Sequence, residues 1–165
     1  MFTFQRVEGS KQEVYEHLLK QAQGLFADET DWVANLANAA SLLYHALDRL
    51  NWAGFYLYRE GELVLGPFMG KPACIRIPAG KGVCGTAFAE KQTQRVPDVL
   101  KFPGHIACDA ATRSEIVIPL FHEGNVVGVL DIDSPEPERF DEEDQTYLEQ
   151  FAAVLQDNID WSKMS

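Results

Sequence analysis

The hydrophobic pattern of this chain changes its period near residue 50, and that change constrains the fold more than any other feature. Residues 11–23 and 31–49 repeat their apolar side chains at steps of three and four, which predicts two amphipathic helices. Thr30 or Asp31 could cap the second helix. Beyond them the apolar residues alternate with polar ones, as in half-buried strands. This order predicts an α+β fold, in which a central antiparallel β-sheet is flanked by N-terminal and C-terminal helices.

Two pairs of alternating segments are each joined by a short turn that contains glycine, which predicts two β-hairpins. They are Trp52–Arg59 with Glu62–Phe68, and Ser114–His122 with Val126–Asp133. The turn of the second hairpin is expected to hold three residues, Glu123, Gly124 and Asn125. Its length matters because a shift of one residue in the register moves every side chain to the other face of the sheet.

The segments around these hairpins complete the predicted fold. A short strand is expected at Cys74–Ile77 and a helix at Val83–Lys91. Residues 98–113 show no period and contain proline and glycine, which predicts a long loop, and such loops inside compact domains are usually functional. We expect a single domain over residues 1–165, with N-terminal helices over about 11–49, the sheet and active-site loop over about 51–133, and a closing helix over about 141–162.

The formal net charge of −11 argues against a nucleic-acid partner or an anionic membrane surface. The N-terminal sequence lacks the basic segment and apolar run of a secretory signal, and no stretch approaches the roughly 20 apolar residues that span a bilayer. We therefore expect a cytoplasmic protein. A reducing compartment disfavours a structural disulfide framework. The three cysteines are therefore expected to be buried hydrophobes, metal ligands or redox-active thiols.

Each cysteine has a different sequence setting. Cys84 belongs to the apolar face of a short helix, where a small buried hydrophobe is expected. Cys74 begins a predicted strand and could take either role. Cys108 lies in the long loop, three residues after His105, and a thiol in a loop is a candidate for reactivity. The cysteine spacings contain no C-x₂-C pair, so we predict no metal site.

Three carboxylates are expected to gather at one end of the second hairpin. Asp131 and Asp133 share a face with Val127 and Val129 by alternation. With a three-residue turn, Glu115 falls opposite Asp133, at the end of the sheet that carries the Cys108 loop. Because opposed like charges destabilise a sheet, such a cluster is either a solvated strand end or a site that binds a cation and keeps one carboxyl protonated.

Aromatic side chains share one face of the first hairpin. By alternation Trp52, Gly54, Tyr56 and Tyr58 point to the same side of the predicted strand. Such a face is usually part of the core, but it could equally form the wall of a pocket for a small, partly apolar ligand.

Four segments of the chain closely resemble the free methionine-R-sulfoxide reductases, a GAF-domain family. The segments are NWAGFYLY, LVLGPFMGKPACIRIPAGKGVCGTA, GHIACDAATRSEIVIPL and GVLDIDSP. The similarity runs from about Asn51 to Phe140 without an evident gap and includes all three cysteines at the family spacing. It implies a GAF-like fold and reduction of free L-methionine-R-sulfoxide to L-methionine.

The resemblance also implies a role for each site residue. Cys108 matches the nucleophile that attacks the sulfoxide sulfur, Cys74 matches the resolving thiol, and Cys84 matches a third cysteine for which an auxiliary role in regeneration is one option. The expected substrate-binding residues are Trp52 and Tyr56 around the methyl-sulfoxide end, and the polar residues Glu115, Asp131 and Asp133. Any of these three acids could donate the proton that the leaving oxygen needs.

The family further implies a homodimer, thioredoxin as the external reductant, and no metal or organic cofactor. The alternative is a GAF domain that senses a small molecule or a redox state without turnover. A nucleotide phosphate would meet three carboxylates in this pocket, which argues against a cyclic-nucleotide sensor.

Overall fold

The computed structural model describes residues 2–164, which form four α-helices, six β-strands and two short 3₁₀ turns. The helices are α1 (Lys11–Phe26), α2 (Trp32–Ala46), α3 (Gly82–Glu90) and α4 (Glu142–Asp157). The strands are β1 (Trp52–Arg59), β2 (Glu62–Gly70), β3 (Arg76–Pro78), β4 (Gln94–Val96), β5 (Ser114–His122) and β6 (Asn125–Ser134). None of the described helices is long and apolar enough to cross a membrane.

The strands form one curled antiparallel sheet with the order β3-β2-β1-β6-β5-β4. The two predicted hairpins lie at its centre, where β1 pairs with β6. This arrangement confirms the predicted α+β fold with a central antiparallel sheet and helices on both sides of it.

The sheet separates two apolar cores. On one face, α2 packs on β1 and β2, α4 packs on β5, and α1 packs on both helices. Phe55, Ile132 and Phe151 belong to this larger core. On the other face, α3 packs on β5 and β6, over a smaller core that contains Trp52 and Tyr56. The candidate functional residues belong to this second face.

Side-chain caps begin three of the helices. The Ser10 hydroxyl accepts from the N–H of Glu13 at the start of α1, and Glu13 completes a capping box. Of the two residues considered for α2, Asp31 is the cap, since its side chain accepts from Ala34 N–H. Asp141 begins α4 in the same way. Local sequence therefore determines where these helices begin.

The second hairpin differs from its expected form but reaches the expected register. Its turn holds two residues, Glu123 and Gly124, with φ of 50° and 80°, as in the turns that suit hairpins. A β-bulge follows, because Leu120 pairs with Gly128 while Phe121 pairs with Val126, which leaves Val127 as an extra residue. The predicted face was wrong for Val127, which packs against the larger core.

Three further expectations about secondary structure need correction. Cys74 precedes β3 instead of beginning a strand, because pairing with β2 starts only at Arg76. The short strand β4 was not predicted, since three residues carry too little periodicity to be recognised. The closing helix ends at Asp157, and a 3₁₀ turn follows it.

Candidate active site

A pocket opens between α3, the long loop and the second face of the sheet. It is lined by Trp52, Tyr56, Glu115, Asp131 and Asp133 from the strands, Cys84 from α3, and His105 and Cys108 from the loop. Its volume is about 40 Å³, room for only about three water molecules. All of the candidate site residues except Cys74 line it, and Cys74 is bonded to Cys108.

The three predicted carboxylates meet on this face. Glu115 pairs with Asp133, and Val117 pairs with Asp131, as the sequence predicted. Glu115, Asp131 and Asp133 are only 6%, 5% and 9% exposed, respectively. The cluster is therefore buried, which is the less common of the two arrangements considered for these acids.

Two of these acids have too few hydrogen-bond partners for their buried oxygen atoms. Within the described residues, one oxygen atom each of Asp131 and Asp133, Oδ1, is buried without a hydrogen-bond partner. Burial raises the pKa of Asp131 well above its usual value, and the charges of Asp133 and Glu115 raise it further. The pKa of Asp133 is also well above its usual value, first because of burial and then because of the charge of Glu115. Such a site favours protons or a cationic ligand.

Aromatic rings from β1, the strand paired with β6, line the pocket beside the acids. The Trp52 ring stacks on Tyr56 and Phe68, with centroids 5.9 Å and 5.2 Å apart. The close approach requires a glycine at position 54, because a Cβ there would lie 2.3 Å from the Phe68 Cβ. Burial raises the pKa of Tyr56 above its usual range, so its hydroxyl remains a donor.

The same aromatic residues hold the segment that carries Cys74. Trp52 Nε1–H donates to the Lys71 carbonyl at 3.2 Å, and the Tyr56 hydroxyl donates to the Cys74 carbonyl at 2.8 Å. Cys74 and Cys108 form a disulfide, with their Cα atoms 5.4 Å apart. The sequence left open how closely these two cysteines approach, and the fold brings them into bonding distance.

Cys84 is the one free cysteine within the described residues, and it is buried as predicted. Burial raises the pKa of its thiol well above the usual value, so it is an unreactive thiol rather than a thiolate. Ligand atoms of Cys84, Glu115 and Asp131 lie within 4.8 Å of one another, close enough to share a cation. Structural zinc sites take four ligands, so we interpret these atoms as the polar end of the pocket.

Asn51 anchors the loop just after Cys108, a role that sequence reasoning did not find. Its Nδ2 donates to Asp109 Oδ2 at 3.0 Å and to Thr112 Oγ1 at 2.9 Å. The pKa of Asp109 lies below its usual value, because the Ala111 N–H and then Asn51 stabilise its charge. No periodic pattern marks Asn51, since its partners lie about 60 residues further along the chain.

His105 is the second residue whose position the sequence did not reveal. In the sequence it stands out only by its spacing from Cys108, but its Nε2 lies 3.9 Å from Glu115 Oε1, inside the pocket. Lys71 and Lys81 lie at the exposed rim of the same pocket.

Comparisons with known proteins give a matching family, two similar relatives and a similar solved structure. The GAF domain family matches residues 33–160. Protein YtsP of Bacillus subtilis is 58% identical over 94% of this chain and 97% of its own length. The free methionine-R-sulfoxide reductase of Escherichia coli is 54% identical over 89% of each chain. The Neisseria meningitidis free methionine-R-sulfoxide reductase, solved with its substrate, superposes with a TM-score of 0.92 at 48% identity, covering 96% of this chain and 95% of the other.

Proposed function

This chain belongs to the GAF-domain family of free methionine-R-sulfoxide reductases, and from that membership we propose that Cys108 is the nucleophile with which it reduces free L-methionine-R-sulfoxide to L-methionine. The observation that carries this assignment is the Cys74–Cys108 disulfide at a pocket with buried carboxylates and an aromatic wall. A thiol pair, a proton source and an apolar surface are the three components that sulfoxide reduction requires.

The chemical step begins at the sulfoxide sulfur. Cys108 attacks it, the substrate sulfur–oxygen bond breaks, and the oxygen passes to the Cys108 sulfur, which becomes a sulfenic acid as methionine is released. The oxygen needs a proton as it leaves. Asp131 and Asp133 suit this role, because their raised pKa values keep a proton available at a higher pH than an exposed aspartate would.

The cluster also favours a free amino acid over a peptide. The unpartnered Oδ1 atoms of Asp131 and Asp133 can accept from the ammonium of free methionine sulfoxide. A methionine within a peptide has no such charge, and binding it would leave buried acceptors unsatisfied. The methyl-sulfoxide end packs against Trp52 and Tyr56.

Cys74 then acts as the resolving thiol. Its attack on the sulfenic acid forms the disulfide and releases water. The disulfide occupies the Cys108 sulfur, so each cycle begins with reduction of this bond. Thioredoxin is the proposed reductant, the chain acts as a homodimer without a metal or organic cofactor, and Cys84 has at most an auxiliary role.

The test is an assay with three substrates in the presence of dithiothreitol: free methionine-R-sulfoxide, the free S epimer, and a peptide that contains the sulfoxide. Turnover of the free R epimer alone is the expected result. Equal turnover of the peptide would refute the role of the carboxylates. No turnover of any substrate would favour the alternative, a GAF module that senses a ligand or a redox state.

A further inference from the structure

The proposed reaction, on which this inference rests, moves one proton without consuming any. A thiol and a sulfoxide give a sulfenic acid and a thioether, so the proton that leaves Cys108 must reach the sulfoxide oxygen. A thiol is a weak nucleophile until it ionises. The pocket therefore needs a base near Cys108 and a path from that base to the carboxylate cluster.

His105 lies near Glu115 of the carboxylate cluster and three residues before Cys108, and it lines the same pocket. The Cys108 N–H donates to the Ile106 carbonyl at 3.1 Å, so the segment from His105 to Cys108 turns tightly and both side chains line the pocket. His105 Nε2 lies 3.9 Å from Glu115 Oε1, and the two side chains are 15% and 8% exposed. That separation exceeds a hydrogen bond, but distances between catalytic groups often shorten when substrate binds.

The other titratable groups of the pocket are poorer bases. Cys84 and Tyr56 are buried with raised pKa values, so both keep their protons. Lys71 and Lys81 are exposed at the rim, where an ammonium has no lone pair to accept a proton. Asp109 is already engaged by Asn51 and the Ala111 N–H.

The remaining acids lie where the proton is needed. Glu115 from β5 faces His105, and Asp131 and Asp133 from β6 face Glu115. A neutral imidazole carries one nitrogen with a free lone pair and one N–H, which suits a group that accepts one proton and passes a proton on.

We propose that His105 accepts the proton of the Cys108 thiol and returns it through Glu115, and the two aspartates that Glu115 faces, to the oxygen of the sulfoxide. Over the whole reaction that follows attack on the sulfoxide sulfur, the Cys108 S–H bond and the substrate S–O bond break, and a bond forms between the Cys108 sulfur and the oxygen. Cys108 loses two electrons and the substrate sulfur gains them. The proton ends on the sulfenic acid, so the step needs no further reactant.

A matched control exists on the same strand. His122 Nε2 lies 3.7 Å from Glu123 Oε1, so it forms a similar histidine–glutamate pair at the other end of β5. Its two side chains are 42% and 82% exposed, and neither lines the pocket. His122→Gln therefore removes a histidine of the same kind without touching the proposed site.

The experiment measures methionine release in a single turnover by reduced Cys74→Ser protein, from pH 6 to pH 9. His105→Gln should lower the rate at pH 7 by about 100-fold, the usual loss of a general base. The rate should then rise with pH toward the ionisation of an ordinary thiol near pH 8.5, with the substrate KM changed less than the rate. His122→Gln should match the parent throughout.

A second variant separates chemistry from folding. His105→Ala should recover part of its lost rate when free imidazole is added, which a structural role would not produce. Iodoacetamide should also alkylate Cys108 in this variant only at higher pH than in the parent. If His105→Gln stays within about threefold of the parent with the same pH profile, or if imidazole rescues nothing, His105 is not the base. The parent would then still reduce the sulfoxide, so this failure is distinct from failure of the proposed function.

Discussion

Glu115 lies directly opposite Asp133 on the neighbouring strand, and both carboxyl groups are buried on the same face of the sheet. Like charges in this position repel and destabilise the sheet. The pair lies at the pocket that holds Cys108, where the proposed reaction uses these acids for binding and proton transfer. Stability and activity should therefore respond to this pair in opposite directions.

Replacing Asp133 by Asn should stabilise the protein above neutral pH. Because burial raises the pKa of Asp133, its contribution to stability is complete below the unfolded value near pH 4 and is lost as the pH rises through the folded value. Asp133→Asn should raise the free energy of unfolding at pH 8 and change it much less at pH 4, where the buried carboxyl is protonated. Denaturant unfolding of the oxidised protein at pH 4 and pH 8 measures this difference.

The same variant should lose activity, since a charged contact to the substrate is worth about 1.5–3 kcal/mol, or roughly 10- to 100-fold in kcat/KM. Asp157→Asn is the control, because Asp157 is an exposed acid at the end of α4. A gain in stability that is equal at pH 4 and pH 8 would contradict the assigned cause.

Substitutions of the two bonded cysteines should stop the reaction at different steps. Cys108→Ser should abolish release of methionine even in a single turnover, because no thiol attacks the sulfoxide. Cys74→Ser should release about one equivalent and then stall in the absence of a small thiol, because the sulfenic acid is not resolved. Rapid quenching followed by quantification of methionine distinguishes them. Identical behaviour of the two variants would overturn this division of roles.

Removing the Tyr56 hydroxyl should slow formation of the disulfide. The hydroxyl donates to the Cys74 carbonyl, and one hydrogen bond is worth about 1 kcal/mol, or roughly fivefold in a rate that depends on where Cys74 lies. Tyr56→Phe keeps the ring beside Trp52, so the first methionine should appear at nearly the parent rate. Tyr58→Phe on the same strand is the control, since Tyr58 is exposed. Stopped-flow tryptophan fluorescence can follow disulfide formation, and equal rates in both variants would refute the positioning role.

Asp144 should be the most sensitive charged residue for stability outside the pocket. Its fully buried carboxylate accepts from the Tyr15 hydroxyl at 2.6 Å, from Lys11 Nζ at 2.8 Å and from Arg139 Nη1 at 3.2 Å. Asp144→Ala leaves Arg139 buried without this partner and should cost about 3–5 kcal/mol in the free energy of unfolding.

The neighbouring Glu143 provides the comparison for Asp144. It is exposed on the same first turn of α4, so Glu143→Ala should change the free energy of unfolding by less than about 0.5 kcal/mol. Urea unfolding of both variants checks the difference. A cost below about 1 kcal/mol for Asp144→Ala would show that this network contributes little.

Much of the secondary structure follows from local patterns. The bounds of β1 and β5 are those predicted, and the capping residues explain where α1, α2 and α4 begin. Cys84 was predicted to be buried on α3, and it is. These features depend on periodicity and on neighbouring residues, so one chain is enough to predict them.

The second hairpin shows where local reasoning reached the right result through the wrong geometry. A three-residue turn was expected to align Glu115 with Asp133, but the turn has two residues and the bulge at Val127 restores the alignment. An extra residue in the turn and an extra residue in a bulge shift the register equally. Sequence alternation alone cannot distinguish them, although they send Val127 to different cores.

The sequence by itself determined the order of helices and strands, the face that carries Asp131 and Asp133, and, through its family resemblance, the roles expected of Cys74 and Cys108. Only the tertiary structure decided that these cysteines bond, that Asn51 holds the loop at Asp109, and that His105 lies near Glu115. The physical reason is the range of the interactions. Periodicity and caps depend on residues a few positions apart, whereas this site joins side chains far apart in the chain, which meet only after the sheet has curled and the loop has packed over it.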